Sequence, residues 1–343
     1  MNGPAEQYAH VLDGVSAAAP VFLVGMNGSG TTMLLDSLGR HSALYAFPRE
    51  TRVLPHLIST YGKVGNLQDD ANFRRLWDAV RTIGVLRYVN DGREVPLPPD
   101  WAQCPRDIGS VIDRVMRVFA AKEGKERWCE KTPQHAQHML LLAAVFPNAK
   151  FIHVIRDGRD SAASFKRRWS RTPALTIFRW KKVVAEGRRQ GTQLGTDRYM
   201  EVKYEELTQD PQAWLRKISA FLGVAFESAT LESRDPYLKR KDGEAGRIRR
   251  NSGRWREAFS AAQVRQLEHI AGRILSELGY DAEHVQGDFD PPKWRRDIWM
   301  LQDYAAQFLK EIGKRVKGDI KRPWWVILRR PFVAWRQRRM NKY

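Results

Sequence analysis

The stretch Gly25-Met26-Asn27-Gly28-Ser29-Gly30-Thr31-Thr32 stands between the apolar run Pro20-Val21-Phe22-Leu23-Val24 and the helical pattern Met33-Leu34-Leu35-Asp36-Ser37-Leu38. A strand, a glycine loop and a helix in that order make a cradle for phosphate. The glycines let the backbone turn tightly and bring its N–H groups up to an anion, and the helix directs its positive end at the same point. The spacing from Gly25 to Gly30 is that of the nucleotide-triphosphatase phosphate loop. There, however, the last glycine is followed by Lys and then Ser/Thr, which hold the β/γ-phosphates and Mg²⁺. Here those two positions are Thr31 and Thr32. The missing lysine argues against ATP chemistry and for a nucleotide with a shorter phosphate group that needs no metal. A strand-to-helix glycine turn of purely structural use is the plainer alternative.

Length, charge and cysteine content bound the rest. With 343 residues, 43% of them hydrophobic, the chain can build one large α/β domain with an appendage. The formal net charge of +19 predicts attraction to polyanions, whether nucleotide, acidic acceptor, nucleic acid or anionic lipid, without choosing among them. Cys104 and Cys129 are too few for a disulfide framework, and the 8 histidines show no ligand spacing with them, so a reducing compartment and no metal are expected. Residues 1–19 lack the basic start and long apolar run of a secretory signal, and no later stretch is long enough to cross a bilayer as a helix. The expected location is cytoplasmic, or peripheral at a membrane.

Strands are expected at about residues 20–25, 126–131, 150–155 and 198–203, with helices over 67–88, 106–122, 135–146, 174–190 and 211–222. This strand-helix rhythm gives an α/β fold: a P-loop-like three-layer sandwich around a parallel sheet of four or five strands. Ligands of such sheets bind at the carboxyl ends of the strands, so Lys131 and Arg156, each closing a strand, point to the crevice. After Pro48 a helix restarts near Glu50, which could face the same cleft or simply complement the helix dipole. Arg156 could clamp phosphate, and Ser164 could meet it if the ligand lies along the next helix; Arg159 and Asp160 read as a capping and ion-pair cluster. The loop Gly246-Arg247-Ile248-Arg249-Arg250-Asn251-Ser252-Gly253-Arg254-Trp255 suits a lid over the nucleotide, or a solvated basic loop.

Together these pieces resemble the sulfotransferases that use 3′-phosphoadenosine 5′-phosphosulfate (PAPS), over about residues 21–280. Three motifs in order carry the resemblance: the 5′-phosphosulfate loop at Gly25 to Thr32, the 3′-phosphate motif of Arg156 with Ser164, and the closing loop Arg249-Arg250-Asn251-Ser252-Gly253-Arg254-Trp255. Glu50-Thr51-Arg52-Val53-Leu54-Pro55 and Cys129-Glu130-Lys131-Thr132-Pro133 look most like the tyrosylprotein sulfotransferase branch and its bacterial relatives. The resemblance implies in-line sulfuryl transfer to a hydroxyl of a saccharide or of a protein tyrosine; if the C-terminal extension binds lipid, a lipid-linked saccharide is the expected acceptor. It casts Glu50 as general base, Lys131 and Ser252 as stabilisers of charge, and PAPS, with PAP as product and no metal, as the nucleotide. Asn27, Gly28, Ser29, Gly30, Thr31 and Thr32 would hold the 5′ side, Arg156, Ser164, Arg249, Arg250 and Gly253 the 3′ side, and Tyr204 the adenine. The chain departs from the family at Gly28, where Lys or Arg is common, and Lys131 is the candidate replacement. His135 and His153 are the next candidates for the base.

Two other readings remain open at this stage. One is a nucleotide-dependent kinase with a degenerate phosphate loop, using Glu130 or Asp157 as a Mg²⁺ carboxylate. The other is a non-catalytic module that binds anionic membrane or nucleic acid, although no nucleic-acid motif is recognisable and no nucleic-acid partner is expected. The chain then divides into a lead (1–19), the sulfotransferase domain (20–289) and a basic, Trp-rich helical extension (290–343). The extension carries 15 Lys/Arg against 5 Asp/Glu, with Trp294, Trp299, Trp324, Trp325 and Trp335. It suits either an interfacial helix pair on anionic lipid or a hairpin packed on the domain through its Trp face.

Overall fold

A computed structural model describes residues 19–61, 65–233, 246–285 and 289–316. Residues 1–18 of the lead, and the extension's Trp324-Trp325-Val326-Ile327-Leu328 run with the basic clusters after it, lie outside the described residues. The chain forms two compact units, Met1–Arg156 with Lys182–Ser252, and Asp157–Lys181 with Gly253–Tyr343.

The first unit is built on a parallel sheet of β1 (Val21–Gly25), β2 (Leu44–Ala46), β3 (Arg127–Lys131), β4 (Lys150–Ile155) and β5 (Tyr199–Lys203), in the order β2-β3-β1-β4-β5. β1 is apolar throughout because both of its faces are covered, as in other parallel sheets. Phe22 and Val24 enter one core with Trp128, Phe146 and Phe151, while Val21 and Leu23 enter the other with Cys129, Ile152 and Val154. Two cores on opposite faces of one sheet are the three layers expected from the sequence. The chain leaves β1 toward β2 on one side and reaches β4 on the other, which makes the carboxyl end of β1 a topological switch point.

The four expected strands appear within one residue of their expected bounds. The fifth, Leu44–Ala46, has only 3 residues, too few for an alternation to register, and it is fixed by pairing with β3 about 80 positions away. The single helix expected over 67–88 is two, Asp70–Arg81 and Gly84–Val89. Its break is at Ile83, whose ψ of 128° is extended, ahead of a glycine that favours helix poorly. Phe73, Leu76, Trp77 and Val80 before the break and Leu86 after it bury into the same core, so the apolar periodicity runs through a break it cannot register. The helix placed at 135–146 is a 3₁₀ turn, Pro133–Gln137, followed by the helix Met139–Val145. No helix restarts at Glu50; the next one is Leu54–Tyr61.

In the second unit the helix Gly158–Trp169 is capped by Asp157, which accepts from the Arg159 amide at 2.8 Å. Arg159 is buried, with two of its nitrogens on Asp157, a third on Glu268, and its guanidinium 3.9 Å from the centre of the Trp255 ring. Asp160 accepts from the backbone N–H of Gly253 at 2.7 Å and of Trp255 at 2.9 Å. The capping and ion-pair reading of these two residues therefore holds. The extension begins with the helix Lys293–Val316, whose Trp299 and Asp303 are buried; Asp303 accepts from the Thr172 amide at 2.6 Å and pairs with Arg171.

Candidate active site

Parallel register brings the chemistry of the first unit to one edge of the sheet. Lys131, the last residue of β3, lies beside Leu23 of β1; Gly25, the last of β1, lies beside Val154 of β4; and Ile155, the last of β4, lies beside Lys203 of β5. The loop after β1, Arg156 after β4 and Tyr204 after β5 thus emerge from neighbouring strand ends, where ligands of open parallel sheets bind.

The loop after β1 needs its glycines for stated reasons. Gly25 has φ +148° and a Cβ there would meet the Val154 carbonyl oxygen at 2.4 Å. Gly30 has φ +101°, immediately precedes the helix Thr31–Leu38, and a Cβ there would lie 2.4 Å from Cδ2 of Tyr204. The buried Tyr204 ring therefore packs directly against the loop at Gly30. Gly30→Ala combines a left-handed backbone with a clash against a ring that cannot retreat, and is expected to cost about 1–3 kcal/mol. A thermal midpoint equal to wild type would show that the Tyr204 ring gives way freely.

Arg156 is 7% exposed. Its guanidinium donates to the Gly28 carbonyl at 3.3 Å and the Asn251 carbonyl at 2.6 Å, and sits 4.5 Å from the Tyr204 ring centre. One cation thus gathers the glycine loop, the start of the helix Tyr204–Gln209 and the basic loop. That basic loop follows the short strand β7 (Gly246–Arg247), paired with β6 (Glu232–Ser233), and is pinned by the buried side chain of Ile248. Arg249 and Arg250 are left exposed, and Nε of Arg250 donates to the Ser252 hydroxyl at 3.4 Å. Ser164 and Gly253 lie in the second unit. Among the described residues the buried hydroxyls of Ser29 in the first unit and Ser164 in the second have no hydrogen-bond partner, and each can donate to an anion.

Glu50 sits in the loop between β2 and the helix Leu54–Tyr61, with 18% of its side chain exposed. Lys131 Nζ donates to Glu50 Oε1 at 2.8 Å, and Arg52 Nε donates to Oε2 at 2.6 Å. Burial by itself would raise the Glu50 carboxyl, but the hydrogen bond and charge of Lys131, seconded by Arg52, outweigh it and hold the group below its ordinary value of 4.5. An ionised, partly exposed carboxylate beside a lysine can accept a proton from a hydroxyl placed against it.

Sequence reasoning missed what lies beneath this pair. Glu130 is fully buried; its Oε1 accepts from the Thr51 backbone N–H at 2.9 Å and from the Thr132 hydroxyl, and its Oε2 is 3.2 Å from His135 Nδ1. Burial pushes this carboxyl up, but His135, Thr132 and Thr51 together bring it below the ordinary range. The backbone next to Glu50 is therefore tied to the strand that carries Lys131. The available signal was a glutamate in mid-strand, which needs buried partners.

Glu130 and Asp157, the metal carboxylates of the kinase reading, are thus committed to Thr51, Thr132 and His135 and to Arg159 respectively. The alternative bases are no better placed. His135 is 1% exposed against Glu130, and His153 is fully buried with Nδ1 2.7 Å from the Tyr199 hydroxyl. Burial, helped by Arg188, pushes the His153 imidazole down to about 3.

Residues 20–228 match the model of the sulfotransferase family. The chain is 27% identical over 311 residues to a protein-tyrosine sulfotransferase of Drosophila melanogaster, covering 84% of this chain and 56% of that protein. It is 22% identical over 316 residues to protein-tyrosine sulfotransferase 1 of Danio rerio, covering 86% of this chain and 80% of that one. This chain thus spans little more than half of the fly relative. Among solved structures, the sulfotransferase domain from the curacin biosynthetic pathway superposes with a TM-score of 0.51 at 19% identity, covering 78% of this chain and 99% of that domain. That likeness concerns the fold.

Proposed function

The chain belongs to the sulfotransferase family, and we propose that it moves the sulfuryl group of PAPS to an acceptor hydroxyl with Glu50 as general base. The observation that carries this reading is the Glu50–Lys131 pair at the carboxyl edge of a sheet whose β1 runs into a phosphate loop without the triphosphatase lysine. The names of the two relatives make protein tyrosine the first acceptor to test, with a saccharide hydroxyl second.

In this reading PAPS supplies the activated sulfuryl group. The N–H groups of Gly28 and Gly30 and the side chains of Asn27, Ser29, Thr31 and Thr32 hold its 5′ side, as a glycine loop at a helix start can. Arg156 carries the 3′-phosphate with Arg249 and Arg250, and Tyr204 lines the adenine side. Glu50 takes the acceptor's proton. Lys131, within reach of the Glu50 carboxylate, keeps that base ionised, and with Ser252 it faces charge that grows on the departing oxygen.

Titration separates this reading from ATP chemistry. PAP is expected to bind without Mg²⁺ and more tightly than ATP with Mg²⁺; the reverse order would remove the assignment. Arg156→Ala is expected to weaken PAP at least tenfold more than adenosine 5′-phosphosulfate, because only PAP carries the 3′-phosphate. Equal losses for the two ligands would take Arg156 out of that role.

A further inference from the structure

Along the helix Lys293–Val316, Trp294, Ile298, Leu301 and Leu309 are exposed by 64%, 45%, 66% and 65%. Their steps of four, three and eight residues bring all four, with exposed Ala305, into a stripe about 80° wide at 100° per residue, and roughly 22 Å long at 1.5 Å per residue. The opposite side of the same helix is spent on packing: Trp299 and Asp303 are buried, and Asp303 binds Thr172 and Arg171. The stripe is therefore a second apolar face, not the core face of an amphipathic helix.

We infer that this face docks on an anionic lipid surface, with Trp294, Ile298, Leu301 and Leu309 entering the interface. Charge chooses this occupant. Residues 290–343 carry 15 Lys/Arg against 5 Asp/Glu, and residues 317–343 carry 9 against 1, so a cationic partner is repelled and an anionic one attracted. A second copy, itself +19, meets the same repulsion. A nucleic acid would answer the charge but leave four large apolar side chains against phosphate and water. An anionic bilayer answers both, since an apolar stripe sinks about 5–10 Å into the headgroup boundary while each nearby basic residue adds about 1 kcal/mol. Among the described residues no helix is long and apolar enough to cross a membrane, so the contact is interfacial. The inference does not depend on the sulfuryl-transfer reading.

Flotation of the full chain with vesicles tests it. Wild type is expected to rise with 3:7 phosphatidylglycerol/phosphatidylcholine vesicles, at least about tenfold more than with phosphatidylcholine alone, and to be released in part by high salt. The triple variant Trp294→Ser/Leu301→Ser/Leu309→Ser should keep wild-type PAP affinity and thermal midpoint and lose at least about tenfold in vesicle partition. Equal flotation of variant and wild type would place the contact elsewhere. Failure of wild type to float, or a concentration-dependent dimer in lipid-free solution that the variant abolishes, would overturn the lipid assignment.

Discussion

Glu50→Gln is expected to lower turnover at least about a hundredfold, equivalent to about 2.7 kcal/mol of barrier, while PAP affinity stays within about twofold. The amide matches the carboxylate in size, but its one oxygen accepts from either Lys131 or Arg52 and not from both, so the loop holds its place through its other anchor. What is lost is the capacity to take a proton. The backbone on the far side of the residue is fixed independently, because Glu130 accepts from the Thr51 N–H at 2.9 Å. Single-turnover sulfuryl transfer together with equilibrium PAP binding checks the split. Retained turnover would move the base away from Glu50, and the burial of His135 and His153 leaves neither as an easy substitute.

Lys131→Ala is expected to lower turnover by a comparable order, and also to move the pH profile. The sign follows from the causes acting on Glu50. Its carboxyl lies below 4.5 because Lys131, with Arg52, outweighs burial. As a base it works when ionised, so the acid limb of kcat/KM in wild type falls only as pH drops through that lowered value. Removing Lys131 leaves burial in place and takes away the largest opposing influence, so the limb shifts upward. Loss of turnover with an unmoved limb would mean that Lys131 acts on the departing group alone. A pure rise in acceptor KM would make it an acceptor-binding residue.

Much of the fold was legible because it is written in local periodicity. The apolar runs of β1 and of β4, the latter interrupted by His153, announce strands buried on both faces, and Gly25 to Thr32 announces a turn that only glycine can make beside Val154 and Tyr204. β2 was not legible, since 3 residues hold no pattern, and neither was the break at Ile83, since both helices bury into one core. At the site, the types and order of Glu50, Lys131, Arg156 and Tyr204 could be read from motifs. The hydrogen bonds of Arg156 to Gly28 and Asn251, and of Glu130 to Thr51, join residues 79 to 128 positions apart, and no local pattern encodes them.

The sequence by itself determined the strand-loop-helix cradle, the parallel sheet around it and the set of side chains delivered to its carboxyl edge, because backbone sterics and apolar burial act over a few residues at a time. Tertiary structure alone decided that Lys131 rests on Glu50, that Arg156 is stacked on Tyr204, and that Trp294 faces outward while Trp299 is buried. Each of these depends on which elements become neighbours. Ion pairing and burial respond to distance in space, which the order of residues along the chain leaves open until the sheet is assembled.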